Sequence, residues 1–354
     1  MGRMSFFTML ERRVAAVDSP LCVGLDPRFP AGTLVTEQML RDEASRIIEA
    51  THEHAAAFKP NIAFYEQYGG AGLDALAAII SSVPEEIPVV LDAKRGDIGA
   101  TAEAYAAAVA RLGAHAVTVS PYMGPDSLEP FAAAGLGMFV LCRTSNPRGT
   151  TFQELRVGGR RLFESVAQAV SGWAGDIGLV VAGNDPGALR DVRSLRPDAW
   201  FLAPGIGAQG GAMDEAVAAG LREDGAGVLA VVARGIANAP DPAVAAREYV
   251  HAFRGARDGW RSTHASATGP SANGESVRDA GGASSEPSVS LLDAILDTGC
   301  FRVGEFTLKS GIVSPFYIDL RRIQSSPAAL EAAATAYERQ LAGVAADRLA
   351  AVPV

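Results

Sequence analysis

VVLDAKRGDIGATAEAYAAAVARLGAHAVTVSP, residues 89–121, is the stretch from which the fold of this chain can be predicted. Its two ends, VVLDAK and AVTVSP, are short apolar runs rich in β-branched residues, as buried strands are. Between them, TAEAYAAAVARLG carries apolar residues at three- and four-residue spacing, which predicts a helix. Strands that are apolar on both faces and alternate with helices indicate a parallel sheet covered by helices.

The same alternation of apolar runs and helical segments continues through roughly the first 255 residues, and eight units of this size match a (β/α)8 barrel, or TIM barrel. That is the fold class we expect. The eight predicted strands are residues 21–26, 55–60, 89–94, 116–121, 138–145, 177–183, 200–205 and 228–235. The first residues, MGRMSFFTMLERR, predict a short amphipathic helix that precedes them.

Composition narrows the class of protein. The net charge of -9 argues against a nucleic-acid partner, because phosphate binding depends on clustered positive charge. Three cysteines without metal-type spacing favour a reducing compartment. No apolar run approaches the roughly 18 residues of a membrane span. We therefore expect a cytoplasmic protein that binds neither membrane nor nucleic acid.

At 354 residues the chain is longer than a domain with a single hydrophobic core, which stops growing near roughly 250–300 residues. We expect the barrel domain to occupy residues 1–257. Residues 258–288 are rich in Ser, Ala and Gly and predict a disordered linker. Apolar order resumes in residues 289–354 and ends in DRLAAVPV, which resembles a strand entering a sheet. A strand without neighbours cannot satisfy its backbone, so we expect an incomplete α/β fragment there.

The end of the third predicted strand carries an unusual cluster of charges. Functional groups of barrel enzymes collect at the carboxyl ends of the strands. Asp92 and Lys94 are two residues apart and should share one face of the strand, and Lys59 ends the preceding strand. Opposite charges in one pocket keep each other ionised. Asp97 comes after the strand and could turn back or reach a neighbouring subunit; an ion-pair network that only ties strand ends together is the structural alternative.

The glycine-rich stretch LAPGIGAQGG, residues 202–211, follows the seventh predicted strand. Its G-x-G-x-x-G at 205–210, with Arg234 after the next strand, matches a dinucleotide fingerprint and would predict NADP binding. In a barrel, however, the loops after strands seven and eight form a phosphate site. We favour a monophosphate site that includes Gln209 and Arg234.

Two further residues at strand ends have weaker signals. Asp26, in GLDPR, is either a turn residue or a ligand for a sugar hydroxyl. Ser145, in RTSNPR, is equally a turn former or a ligand. The five histidines show no metal-ligand spacing, so no metal site is predicted.

Several motifs together resemble one known family. LDAKRGDIGAT, LCVGLDPR, FKPNIAFYE, TVSPYMG, APGIGAQGG and ARGI are similar, in order and spacing, to orotidine 5′-monophosphate decarboxylases over about residues 18–255. The likeness is greatest to the bacterial branch with a DAKRGDI motif. The resemblance implies decarboxylation of orotidine 5′-monophosphate to UMP and CO2, the final step of UMP synthesis, by a cofactor-independent homodimer.

The resemblance also implies roles for individual residues. Lys94 would be the acid that protonates C6, and Asp92 would lie near the substrate carboxylate. Lys59, together with Asp97 from the partner subunit, would complete an alternating array of charges. The implied substrate-binding residues are Asp26 and Thr101 at the ribose, Ser145 at the pyrimidine, Gln209 and Arg234 at the phosphate, and Ile98.

GEFTLKSGIVSPFYIDLRRI, residues 304–323, is similar to the amino-terminal part of orotate phosphoribosyltransferase. Lys309 and the pair Phe316 and Tyr317 would match contacts of that family to diphosphate and orotate. The acidic phosphoribosyl-diphosphate motif of that family is absent from this sequence, so we expect no transferase activity.

Two other functions remain open at the level of sequence. An NADP-dependent oxidoreductase would explain the glycines at 205–210 and Arg234. A non-catalytic barrel that binds phosphosugars would use Gln209 and Arg234 but has no need of the buried lysines.

Overall fold

The computed structural model describes residues 4–206, 212–267, 301–307 and 313–318. It divides into two units, Met1–Pro270 and Ser271–Val354. The strands of the first unit are β1 (Leu21–Leu25), β2 (Ala57–Pro60), β3 (Val90–Arg95), β4 (Ala116–Val119), β5 (Gly137–Arg143), β6 (Arg156–Val157), β7 (Arg160–Arg161), β8 (Ile177–Val181), β9 (Phe201–Pro204) and β10 (Val228–Val232).

The helices of this unit alternate with the strands. They are α1 (Phe6–Val17), α2 (Glu37–Thr51), α3 (Ala63–Glu66), α4 (Gly69–Ser82), α5 (Gly99–Arg111), α6 (Glu129–Ala133), α7 (Thr150–Gln153), α8 (Leu162–Ala169), α9 (Pro186–Leu195), α10 (Ala212–Gly220), α11 (Arg234–Ala237) and α12 (Pro242–Ala267). Short 3-10 turns lie at Pro125–Ser127, Pro147–Gly149 and Val170–Gly172.

Eight parallel strands form one sheet in the order β2-β1-β10-β9-β8-β5-β4-β3. The edge strands β2 and β3 meet through two parallel bridges, Phe58 with Val89 and Asn61 with Asp92. The Ile62 amide donates to the Asp92 carbonyl at 3.2 Å across this junction. The closed sheet confirms the predicted (β/α)8 barrel. The hairpin of β6 and β7 lies outside it.

The amino-terminal end of the barrel is closed by α1. Phe6 and Leu10 are buried against residues of the barrel interior, among them Phe139 on β5, whose ring lies edge-on to Phe6 with the ring centroids 5.8 Å apart. A Cβ at Gly137 would lie 2.6 Å from the Phe6 ring, so only glycine fits beneath it. The predicted amphipathic helix is thus present and plugs the end opposite the strands' carboxyl ends.

The last helix of the unit corrects one predicted boundary. The linker was expected to begin at residue 258, but α12 continues to Ala267. The helix is anchored where Arg257 Nη1 donates to Asp18 Oδ1 at 2.7 Å and where Trp260 packs against the core. The remainder of the predicted linker lies outside the described residues.

The second unit contains an antiparallel hairpin of β11 (Phe301–Thr307) and β12 (Val313–Ile318). Phe316 and Tyr317 lie in β12, whereas Lys309 lies outside the described residues. In the described parts of both units, every helix is too short or too polar to cross a lipid bilayer.

Candidate functional site

A cleft of about 980 Å³ opens at the carboxyl ends of the barrel strands. It is the end at which barrel enzymes place their chemistry. The predicted site residues that line it are Asp26, Lys59, Asp92, Lys94, Ser145 and Arg234. Gln209 lies outside the described residues. The structure therefore brings together most of the residues that the sequence singled out.

Asp92 lies between two lysines in this cleft. Lys59 Nζ donates to Asp92 Oδ2 at 3.1 Å, and Lys94 Nζ donates to Asp92 Oδ1 at 2.6 Å. The side chains of Lys59 and Asp92 are 7% and 13% exposed, whereas that of Lys94 is 50% exposed. The array thus has a buried half and an ammonium that is open to the cleft.

The three charges are mutually stabilising. Burial alone would lower the pKa of Lys59, but the negative charges of Asp92 and Asp26 outweigh it and raise that pKa. Burial alone would raise the pKa of Asp92, but Lys59 and Lys94 outweigh it and lower the pKa to about 2. Lys59 and Asp92 are therefore both ionised near neutral pH.

The backbone at Lys94 departs from regular strand geometry. Its φ is 47°, in the left-handed region that residues with a Cβ seldom adopt. The pairing of β3 with β4 also shifts register between Leu91 and Arg95. Asp92 and Lys94 do share the cleft, as predicted, but a bulge rather than simple alternation directs Lys94 there. Arg95 points elsewhere and donates to Glu66 Oε1 at 2.6 Å.

Asp26 follows β1 and lines the same cleft. Its Oδ1 is buried and has no hydrogen-bond partner among the residues that the structure describes. A buried carboxylate oxygen without a donor is costly, so this atom suits a ligand that brings a hydroxyl group.

The loop after β5 presents Ser145 to the cleft. Gln153 Oε1 accepts from the Thr144 amide at 3.0 Å, and Gln153 Nε2 donates to Thr144 Oγ1 at 2.8 Å. Thr144 Oγ1 donates in turn to Asn146 Oδ1 at 2.6 Å. This network fixes the loop on both sides of Ser145, whose own side chain remains exposed.

The opposite wall of the cleft is formed at the start of α11. Arg234 is the first residue of this helix and is exposed. Asn238 and Tyr249 line the cleft beside it, and a Cβ at Gly235 would lie 2.3 Å from the Tyr249 hydroxyl oxygen. A guanidinium with amide and phenol groups nearby suits an anion such as a phosphate.

Three predicted residues do not line this cleft in the described part of the single chain: Asp97, Ile98 and Thr101. Asp97 Oδ1 accepts from the Ile98 amide at 2.9 Å, Ile98 is exposed, and Thr101 lies on the exposed first turn of α5.

Asn146, the neighbour of Ser145 in RTSNPR and like it either a turn former or a ligand by sequence, also lines the cleft. The sequence analysis missed several other lining residues: Asn61, Thr118, Thr144, Gln153, Asn238 and Tyr249. Strand alternation could have found two of them, because Asn61 lies two residues after Lys59 and Thr118 two residues before the strand-end Ser120. Nothing comparable marks Gln153 or Tyr249, which reach the cleft from helices.

Comparison with known proteins agrees with this geometry. Residues 19–249 match the model of the Orotidine 5′-phosphate decarboxylase / HUMPS family. The chain is 46% identical over 265 residues to the orotidine 5′-phosphate decarboxylase of Thermomicrobium roseum, covering 72% of this chain and 94% of that protein.

Two solved structures from Leishmania donovani are also similar. Its OMP decarboxylase is 49% identical, with a TM-score of 0.67 and coverage of 72% of this chain and 99% of that one. Its UMP synthase is 46% identical, with a TM-score of 0.68 and coverage of 96% of this chain and 70% of that one.

Proposed function

This chain belongs to the orotidine 5′-phosphate decarboxylase family, and on that basis we propose that Lys59, Asp92 and Lys94 carry the chemistry of its reaction. The enzyme is a lyase that decarboxylates orotidine 5′-monophosphate to UMP in pyrimidine synthesis. The observation that carries the mechanistic proposal is the ion-paired array of Lys59, Asp92 and Lys94, in which Lys94 is the member most exposed to the cleft.

Loss of CO2 breaks the bond between C6 and the carboxyl carbon and leaves its electron pair on C6. The pyrimidine ring offers that pair little conjugative stabilisation, so the transition state must be stabilised electrostatically. The Lys94 ammonium supplies a fixed positive charge and then donates its proton to C6, acting as general acid. Solvent returns a proton to Lys94 afterwards.

Asp92 acts on the same step through the carboxylate of the substrate. Its carboxylate disfavours the negative carboxylate of the bound substrate more than the transition state, from which CO2 is departing. This requires Asp92 to stay ionised while buried, and the two lysines provide that by holding its pKa at about 2. Lys59, almost fully buried, serves chiefly to keep Asp92 charged.

The remaining predicted residues hold the substrate. Asp26, with its unpartnered Oδ1, accepts from a ribose hydroxyl. Ser145 contacts the pyrimidine from the braced loop, and Arg234 binds the phosphate together with Gln209. The phosphate is distant from C6, so its binding energy serves to fix the substrate for the reaction. Thr101 contacts the ribose and Ile98 the substrate; because neither residue lines the cleft of its own chain, a second subunit is required to bring them to it.

The active form is a homodimer in which Asp97 completes the charge array of the partner subunit. An apolar surface supports this, because large side chains are exposed after three neighbouring strands. They are Ile98 after β3, Tyr122 and Met123 after β4, and Phe152, Leu155 and Val157 after β5. Exposed apolar residues grouped in this way favour burial against another protein, and a two-fold axis would pair the surface with itself.

Three finer assignments belong to the same proposal. The DAKRGDI motif at 92–98 supports assignment of the chain to the bacterial branch, and the sparse, buried thiols of Cys22 and Cys142 favour a cytoplasmic location. The segment 304–323 is related to orotate phosphoribosyltransferase. The match to the UMP synthase structure extends over 96% of this chain, against 72% for the decarboxylase alone, so the similarity reaches beyond the barrel.

The test is the decarboxylation of orotidine 5′-monophosphate by Lys94→Ala, followed as loss of the substrate's ultraviolet absorbance. We expect a loss of roughly 10⁴-fold or more in kcat, because the acid and the electrostatic stabilisation both disappear. Arg95→Ala is the matched control, since it removes the adjacent cation, which points to Glu66. That variant should remain within about threefold of wild type. Near-normal turnover by Lys94→Ala would refute the proposed chemistry.

A further inference from the structure

Thr118 on β4 is buried, with a relative exposure of 1%, and its side chain faces the charge array. Its hydroxyl donates to Asp92 Oδ1 at 2.9 Å. The same oxygen accepts from the Ala93 amide at 3.0 Å and from the Lys94 amide at 2.9 Å. One O–H donor and both oxygen lone pairs are therefore used.

The three bonds act on the bulge in β3. The amides of Ala93 and Lys94 lie where the pairing of β3 with β4 shifts register, so strand pairing does not satisfy them there. Thr118 Oγ1 takes the place of a carbonyl and holds both amides at one point. Lys94 is thereby kept in its left-handed conformation, with φ of 47°. Without this acceptor, the Ala93 and Lys94 amides would lose their hydrogen-bond partner, and the left-handed conformation that sets the direction of the Lys94 side chain would lose its support.

We propose that Thr118 is a positioning residue for decarboxylation: its hydroxyl fixes the bulge that aims Lys94 and simultaneously orients the Asp92 carboxylate. The inference rests on the catalytic roles proposed for Asp92 and Lys94. Two groups that must act together on C6 and on the carboxylate attached to it lose effectiveness quickly when they are misplaced by about 1 Å. A single hydroxyl that touches the backbone of one and the carboxylate of the other is suited to maintain that geometry.

The experiment compares Thr118→Val, which keeps the shape and removes the hydroxyl, with Thr118→Ser, which keeps the hydroxyl. We expect Thr118→Val to lower kcat about 100-fold while KM and inhibition by UMP change less than about threefold, since UMP lacks the reacting carboxylate. Thr118→Ser should retain kcat within about fivefold. Thr118→Ala and Thr118→Ser differ only by the hydroxyl, so these two variants are compared if Thr118→Val is insoluble.

Thr51→Val is the control for loss of a buried hydroxyl elsewhere, because Thr51 Oγ1 donates to the Ile47 carbonyl within α2 at 2.7 Å. It should lower the Tm and leave kcat unchanged. The proposal is overturned if Thr118→Val keeps kcat within about threefold of wild type, if Thr118→Ser is equally impaired, or if UMP binding falls as much as kcat. Lys94→Ala measured in parallel separates the two ideas: an inactive Lys94→Ala beside a normal Thr118→Val removes only the role of Thr118.

Discussion

Replacing Asp92 by asparagine should remove one defined part of the acid sensitivity of the barrel's stability. The amide has the shape of the carboxylate but does not titrate. In the folded chain the pKa of Asp92 is about 2, against an ordinary value of 3.8. Because the folded pKa is the lower one, the carboxylate stabilises the fold at neutral pH, and this contribution is lost as the pH falls through 3.8 toward 2.

The size of the effect follows from the two pKa values. Each pKa unit corresponds to about 1.4 kcal/mol, so the full contribution is about 2.5 kcal/mol, of which about 1 kcal/mol is lost between pH 6 and pH 3. The Asp92 side chain is only 13% exposed, so solvent screens little of it. Between pH 6 and pH 3, the free energy of unfolding of wild type should therefore decrease by about 1 kcal/mol more than that of Asp92→Asn.

Urea unfolding of both full-length proteins at several pH values would measure this difference. Trp173, Trp200 and Trp260 are the three tryptophans of the chain, and all lie in the first unit, so their fluorescence reports on the barrel alone. Subtracting the two curves cancels the other carboxylates and any constant offset between the proteins. Curves that stay parallel within about 0.3 kcal/mol from pH 6 to pH 3 would refute the proposed ionisation of Asp92.

Three other perturbations have distinct expected outcomes. Arg234→Ala should raise KM about 10- to 100-fold with a smaller change in kcat, because it removes a charge-assisted bond to the phosphate; steady-state kinetics would show this, and an unchanged KM would count against the phosphate site. Mixing inactive Lys94→Ala and Asp97→Ala homodimers should restore about a quarter of wild-type activity after subunit exchange, since half the dimers are then mixed and each has one intact site; no recovery would exclude a site shared between subunits. Phe6→Ala should cost about 3 kcal/mol of stability in urea, yet leave kcat unchanged, because it opens a cavity at the end of the barrel opposite the cleft; a large fall in kcat would contradict that separation.

The strands of the barrel could be predicted because each is apolar on both faces and ends in polar residues. The bulge at Lys94 could not be predicted. Regular strand alternation also puts Asp92 and Lys94 on one face, so nothing in the pattern indicates a bulge. Asp92 and Lys94 lie together in the cleft as predicted, but strand alternation is not the full reason. The left-handed φ of Lys94 depends on Thr118, a residue of another strand. Such cross-strand support has no periodic signal in the sequence.

The helix α12 ends later in the chain than its sequence predicts. Its last turns, WRSTHASA, have the small and polar composition of a linker, and local propensity gave no reason to extend the helix. The tertiary contacts of Arg257 with Asp18, and of Trp260 with the core, hold this segment helical. Similarly, the loop that braces Ser145 depends on Gln153, whose hydrogen bonds reach nine residues back along the chain.

The place where the sheet closes has a consequence for how this enzyme becomes active. β2 and β3 are the two edges of the eight-stranded sheet, and Lys59 belongs to one while Asp92 belongs to the other. In an open sheet with the same strand order, these two side chains would be held at opposite margins. A folding intermediate in which all strand pairs except β2 with β3 have formed would therefore lack decarboxylase activity. If Lys59 and Asp92 have the catalytic roles proposed for them, turnover requires the junction between β2 and β3, and decarboxylation then reports that the ring is closed.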